Sequence, residues 1–127
     1  KSEPNTYSWN QMESEQITSW DGVRNYQAQK FMKSMKIGDK AFFYHSVTGK
    51  EIVGIVEIIK EHYLASDPKF GMVDVKFVKP LENPVTLQML KSNPSLKDLL
   101  MLKQSRLSVS PVTEDCWHEI IKMSKDV

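Results

Sequence analysis

At 127 residues, with 17 Lys+Arg against 16 Asp+Glu and a net charge of +1, the chain is sized for one domain spanning residues 1–127. It lacks the cationic excess that would hold it to nucleic acid by bulk charge, so any such role must rest on a local patch or pocket. Forty per cent apolar and 26 per cent charged residues exclude disorder as the default, and the lone Cys116 excludes an intrachain disulfide framework and fits a reducing compartment.

No apolar run has the length of a membrane span, no signal-peptide pattern is present, and no membrane partner is expected. The chain opens on Lys1 rather than Met and reads as trimmed, with a preceding segment out of view. Lys1-Ser2-Glu3-Pro4 is polar, and the proline holds Glu3 extended, as in a segment laid across a surface. Ser8 caps a short helix through Trp9 and Met12, whose low apolar content predicts a peripheral position. Ala28, Phe31, Met32 and Met35 recur at helical spacing and predict a helix with one core-facing stripe, capped by Asp21 or Asn25. Lys36-Ile37-Gly38-Asp39 reads as its stop. Ala41-Phe42-Phe43-Tyr44-His45 fits a strand buried on both faces, turning at Thr48-Gly49-Lys50 into a β-branched partner over 51–60. Gly54 within that partner predicts a bulge or a close approach.

Residues 62–71 form a loop, and 72–78 alternate as a half-buried strand before Pro80 and Pro84 break the chain. Thr86 caps a helix over 87–91 and Ser95 another through Leu99 and Leu102. Arg106 to Val109 alternates like a strand. Thr113 caps a last helix with Trp117, Ile120, Ile121 and Ser124 on one face. The order predicts a mixed α+β domain whose mainly antiparallel sheet curls into a small barrel.

Four stretches bring polar chemistry to element ends: Lys1-Ser2-Glu3-Pro4, Trp20 to Asn25, Tyr44-His45-Ser46 and Arg106-Leu107-Ser108. Trp20-Asp21-Gly22-Val23-Arg24-Asn25 puts an aromatic face beside a guanidinium at a helix N-terminus, which suits a flat polar-edged ligand or a phosphate. The plain alternative is that Trp20 anchors a core and Arg24 pairs with a surface carboxylate. Enzyme chemistry finds no support, since no G-x-S-x-G elbow, no phosphate-cradling glycine loop and no metal spacing among His45, His62, His118 and Cys116 is present. No cofactor and no metal site are expected. The seven methionines read as core filler.

K-S-E-P…Y-S-W, T-S-W-D-G-V-R-N-Y-Q-A, M-K-I-G-D-K-A-F-F-Y-H-S, I-V-G-I-V-E-I-I-K-E, M-V-D-V-K-F-V, P-V-T-L and Q-S-R-L-S-V-S-P-V-T resemble, in order, the EVE domain found in the thymocyte nuclear protein family and its bacterial relatives. The resemblance runs from Lys1 to about Met123. It implies a PUA-like fold, a small β-barrel flanked by helices, similar to YTH domains that bind methylated adenine in RNA. It also implies a non-enzymatic, monomeric reader of modified nucleobases, modified cytosine in DNA being favoured and RNA an alternative partner. The compartment implied is nuclear in a eukaryote and cytoplasmic in a bacterium. The implied pocket is lined by Trp20, Asp21, Gly22, Val23, Arg24, Asn25, Tyr44, His45, Ser46, Arg106, Leu107 and Ser108, with Ser2 and Glu3 beside it. Trp20 and Tyr44 would wall an extruded base, polar side chains would read its edge, and Arg24 and Arg106 would hold phosphates or close the pocket. The family pattern departs in two places: a short apolar strand usually precedes K-S-E-P, and the loop before M-V-D-V is usually longer and ends in Trp where this chain has Phe70. Two other functions remain open, a PUA-type or YTH-like RNA-binding domain and a protein-interaction module with a vestigial pocket.

Overall fold

The computed structural model describes residues 1–125. Its elements run α1 (Trp9–Glu15), β1 (Ile17–Trp20), α2 (Tyr26–Lys33), β2 (Lys40–His45), β3 (Glu51–Tyr63), β4 (Met72–Thr86), α3 (Leu87–Ser92), a 3₁₀ turn (Pro94–Leu96), α4 (Leu100–Lys103) and α5 (Glu114–Lys125). The strands form one antiparallel sheet in the order β1-β4-β3-β2. Its two ends do not meet, so the sheet is open and the expected barrel does not close. The segment expected as a further strand, Arg106 to Val109, forms turns instead. There the Leu107 amide bonds locally to the Gln104 carbonyl, and the Leu107 side chain is buried. Its apolar alternation therefore reflects one plug into the core rather than a pleat.

The free edge of β2 is covered by the N-terminal segment. Ser2 donates its amide to the Tyr44 carbonyl at 2.8 Å and accepts from the Ser46 amide at 2.8 Å. This satisfies edge groups that would otherwise invite pairing with another chain.

Adjacent side chains of β2 point to opposite faces, and both faces are covered. Phe43 joins Trp9, Met12, Ala28, Met32, Val56 and Val73 on one face, while Tyr44 joins Ile52, Val85, Leu90, Leu96 and Ile120 on the other. Met12 and Met32 are fully buried, each contributing about 1.5–3 kcal/mol by burial. The helix holding Trp9 and Met12 is therefore a core element, not the peripheral one its composition predicts. Two apolar residues in seven suffice because one is a tryptophan.

Gly54 explains how that tryptophan fits. A Cβ on Gly54 would overlap the six-membered ring of Trp9, and the pairing of β3 with β4 shifts register between Ile52 and Gly54. Both expectations for Gly54, bulge and close approach, hold together. Pro80 and Pro84 do not break the chain as expected, and β4 runs through them. Past Lys76 this strand has only β3 as a strand neighbour, so its outer side asks for no amide there.

Helix ends follow the expected chemistry with one exchange. Ser8 forms a capping box with Gln11, Thr86 caps α3, and the Thr113 hydroxyl accepts from the Cys116 amide. Ser95 caps nothing, since Asn93 caps the 3₁₀ turn and α4 begins without a side-chain cap. Helix α2 ends at Lys33, before Gly38, whose amide instead donates to the Ile58 carbonyl at 2.9 Å.

Candidate functional site

Strand β1, absent from the sequence reading, places Trp20 at the sheet's end. Its ring meets Tyr7 edge-on at 6.2 Å and Phe43 at 5.5 Å, near the T-shaped geometry that aromatic quadrupoles favour. The chain then turns through Asp21-Gly22-Val23, with Gly22 at φ +73°, a conformation that side chains with a Cβ resist. Val23 is buried and anchors the turn. Asn25 caps α2, its Oδ1 accepting from the Ala28 amide at 2.9 Å, so of the two expected caps Asn25 is the one used.

Gln29 fixes this turn from behind. Buried in α2, it donates to the carbonyls of Val23 (2.8 Å) and Gly71 (3.0 Å) and accepts from the Gly71 amide (3.1 Å). His62 Nε2 lies 2.8 Å from the same Gln29 oxygen. One amide thus ties the Asp21–Val23 turn to the loop before β4 and satisfies buried polar groups that are costly to leave unpaired. The sequence reading missed Gln29, because a glutamine inside an amphipathic helix pattern normally faces water.

The N-terminal segment forms the opposite wall. The backbone nitrogen of Lys1 donates to the Ser108 carbonyl at 2.9 Å, joining that segment to the loop after α4. Between these pieces lies a cavity of about 500 Å³. Ser2, Glu3, Trp20, Asp21, Gly22, Val23 and Ser108, all expected as site residues, line it together. Tyr7, Thr18 and Ser19 also line it. They stand in the same Y-S-W and T-S-W-D stretches, which is the signal that could have found them.

The other expected residues go elsewhere. Arg24 is largely exposed and pairs with Asp67 at 3.3 Å, the plain alternative for this side chain. Asn25 is spent on its cap. Tyr44 is buried on the other face of β2 from Phe43, so it does not face Trp20 across this cavity. It lines a second cavity of about 760 Å³, which shares Lys1, Trp20 and Ser108 with the first but is walled mainly by core side chains such as Ile52, Val56 and Ile58. His45 Nε2 accepts from the Trp9 amide at 3.0 Å, holding α1 against β2. Ser46 contributes its amide to Ser2. Arg106 is exposed in a turn, and Leu107 is core. Phe70 packs at a tilt against Tyr26, with ring centroids 5.1 Å apart, outside the polar cavity.

Burial lowers the His45 pKa, opposed by the Glu51 charge, and this favours the neutral imidazole whose Nε2 lone pair the Trp9 amide needs. Burial and the Lys33 charge lower that of His62. Burial and the hydrogen bond to Glu15 raise that of Tyr7, and burial raises that of Tyr44. Among the described residues no group of three or more His, Cys, Asp or Glu side chains could hold a metal ion, and no helix is long and apolar enough to cross a membrane. The arrangement offers an aromatic face, hydroxyls and carboxylates around a space open to a flat polar molecule. The larger cavity offers mainly apolar walls, which leave a polar edge unsatisfied.

The EVE domain profile matches residues 1–123. Human thymocyte nuclear protein 1 is 35% identical over 136 residues, covering 87% of this chain and 60% of that protein. The chain spans between 54% and 62% of the length of the curated relatives it matches. A Rhodopseudomonas palustris protein solved by NMR is 48% identical with a TM-score of 0.93, covering 98% of this chain and 89% of that one. The crystal structure of human THYN1 protein in complex with 5-methylcytosine containing DNA is 32% identical with a TM-score of 0.86, covering 93% of this chain and 85% of that one.

Proposed function

This chain belongs to the EVE domain family, and from that premise we propose that it is a non-enzymatic reader of a modified base, 5-methylcytosine in DNA first. The observation that carries the reading is the convergence of Ser2, Glu3, Trp20, Asp21 and Ser108 on one polar cavity, in a fold whose human relative was solved with 5-methylcytosine containing DNA. In this reading the base leaves its stack, lies against Trp20, and presents its edge to the hydroxyls and carboxylates opposite. Extrusion costs a few kcal/mol, which stacking of about 1–3 kcal/mol and edge hydrogen bonds offset. Tyr44 and Arg106 take no part, and Arg24 acts at most outside the cavity. The expected compartment is the nucleus in a eukaryote, as the relatives' name suggests, and the cytoplasm in a bacterium.

The test is fluorescence-polarisation binding to matched oligonucleotides, single- and double-stranded, DNA and RNA, differing by methyl, hydroxymethyl or formyl at one cytosine. Trp20→Ala removes the wall, and Trp20→Leu keeps apolar bulk against Tyr7 and Phe43 while removing the flat face. A preference for modified DNA, lost in a Trp20→Leu protein that still melts cooperatively, supports the reading. Equal binding to all probes overturns it, and a preference confined to the RNA arm moves the function to RNA recognition.

A further inference from the structure

Beside the turn that lines the polar cavity stands a second surface of different character. Tyr26 opens α2 three residues past Val23, at most about 11 Å along the chain, and is 69% exposed. Its ring packs at a tilt of 43° on half-buried Phe70, and neither ring joins either core cluster. The pair is nonetheless held in place. Asp67 Oδ1 accepts from the Lys69 and Phe70 amides at 2.8 and 3.2 Å, and Asp67 Oδ2 meets Arg24 at 3.3 Å. Gln29 binds Gly71, so the loop is tied to α2 and its preceding turn both before and after Phe70.

Lys30 and Lys33 follow Tyr26 at i+4 and i+7, on the exposed face of α2 opposite buried Ala28, Gln29 and Met32. Lys69 adds a third exposed lysine beside Phe70. None of the three has an ion-pair partner among the described residues. Of the carboxylates on the adjoining segments, Asp67 is paired with Arg24, Glu61 accepts from the Ile37 amide at 3.3 Å, and Asp21 lines the polar cavity. In a chain of net charge +1, this face is a local cationic patch with an aromatic ring at one end.

We propose that the outer face of α2 and the loop before β4 form a DNA-strand surface, on which Tyr26 covers the base next to the extruded one and Lys30, Lys33 and Lys69 hold the flanking phosphates. This rests on base reading for its partner and adds where the affinity comes from. Extruding a base uncovers the faces of its neighbours in the stack, and a flat ring already ordered against Phe70 loses little freedom in covering one. Phosphate contacts position the strand and carry no sequence information. Affinity and salt sensitivity therefore come from this face, and selectivity from the cavity.

The experiment measures fluorescence-polarisation binding of the whole chain, across a salt series, to duplexes carrying 5-methylcytosine, cytosine or a stable abasic residue at one position. Tyr26→Leu keeps apolar cover over Phe70 and removes the flat ring, whereas Tyr26→Phe keeps both. Tyr26→Leu is expected to weaken binding to all three duplexes about tenfold, the scale of one base–aromatic stack, with Tyr26→Phe at the unaltered level. The abasic duplex is included in that loss because its gap also uncovers neighbouring bases. Lys30→Gln and Lys33→Gln each flatten the slope of log affinity against log salt by about 0.9 and leave the ratio of 5-methylcytosine to cytosine unchanged. Lysines that only complement the C-terminal end of α2 would lower the melting temperature and leave that slope as it was, which overturns their phosphate role. Unchanged affinity in Tyr26→Leu, a loss confined to the 5-methylcytosine duplex, or a loss matched by a lower melting temperature overturns the stacking role. Equal binding of the methylated and unmethylated duplexes, with the Tyr26 and lysine effects intact, sinks base reading and leaves this surface standing. A methyl preference with none of those effects does the reverse, and binding to none of the three duplexes overturns both.

Discussion

The two faces of the sheet bury similar numbers of residues with different chemistry. One is aromatic: Trp9 lies 5.0 Å from Phe43 and 4.8 Å from Phe77, and Phe43 reaches Trp20 and Tyr7, whose far sides line the polar cavity. The other is mainly aliphatic apart from Tyr44 and the stacked Phe42–Trp117 pair, with Leu81, Val85, Leu90, Leu96, Leu99 and Ile120 packed under α3, the 3₁₀ turn and α5. Aromatic rings carry a large apolar body and, in tyrosine and tryptophan, a polar tip, so one ring can serve as core on one side and ligand wall on the other. Aliphatic side chains only fill. Under the proposed function, the difference separates a face where packing and recognition would be coupled from a face whose contribution is stability.

That separation breaks most visibly at Ile120, which is 1% exposed in the aliphatic cluster. Ile120→Ala is expected to cost about 2–5 kcal/mol in chemical denaturation and to leave binding per folded molecule unchanged. Lost affinity in the folded fraction would show the aliphatic face to be coupled to the site after all. Next comes Gly54→Ala, which drives a methyl into the Trp9 ring. A cost of about 1–3 kcal/mol is expected, accompanied by altered aromatic near-UV circular dichroism and weaker oligonucleotide binding, because Trp9 abuts Phe43 and Phe43 abuts Trp20. A purely thermodynamic loss with unchanged binding would uncouple the aromatic face.

The smallest effect is a pH dependence. A histidine whose folded pKa lies below its ordinary value of about 6.5 leaves the unfolded chain holding more protons between the two values. Its stabilising contribution is therefore complete above that ordinary value and is lost as pH falls through the folded one. His45 and His62 are both shifted downward, so the melting temperature should fall modestly on acidification below about pH 6.5. His45→Gln keeps an acceptor near the Trp9 amide and removes one titration, so its pH slope should be shallower than that of the unaltered protein. An identical slope would remove His45 from the cause.

Much of this was legible because local chemistry and tertiary environment agree. Ser8, Thr86 and Thr113 act as caps where a short side-chain oxygen precedes an amphipathic run, and Gly54 marks a close approach that no residue with a Cβ permits. The misses have one physical origin, since the deciding partner lies far away in sequence. Strand β1 was hidden because four residues, Ile17–Trp20, become a strand only through pairing with Val73–Lys76. Arg106 to Val109 lost its strand because no partner edge exists for it, and Pro80 kept its strand because one side of β4 needs none. At the site, the stretches holding Ser2, Glu3 and Trp20 to Val23 were readable as motifs. Which face of β2 carries Tyr44, and that His45 is spent on the Trp9 amide, depend on the two-sided burial of that strand. Gln29 was invisible because its four contacts reach Val23, His62 and Gly71, none of them on its own helix.

The most direct test is an amide chemical-shift map of the ¹⁵N-labelled domain titrated with a 5-methylcytosine oligonucleotide against its unmodified match. Base reading in the polar cavity predicts modification-dependent shifts at Ser2, Glu3, the Trp20–Val23 turn and Ser108, with the aliphatic face around Leu90, Leu96 and Ile120 silent. Shifts identical for the two oligonucleotides, or centred around Tyr44 and the larger apolar cavity, would contradict it.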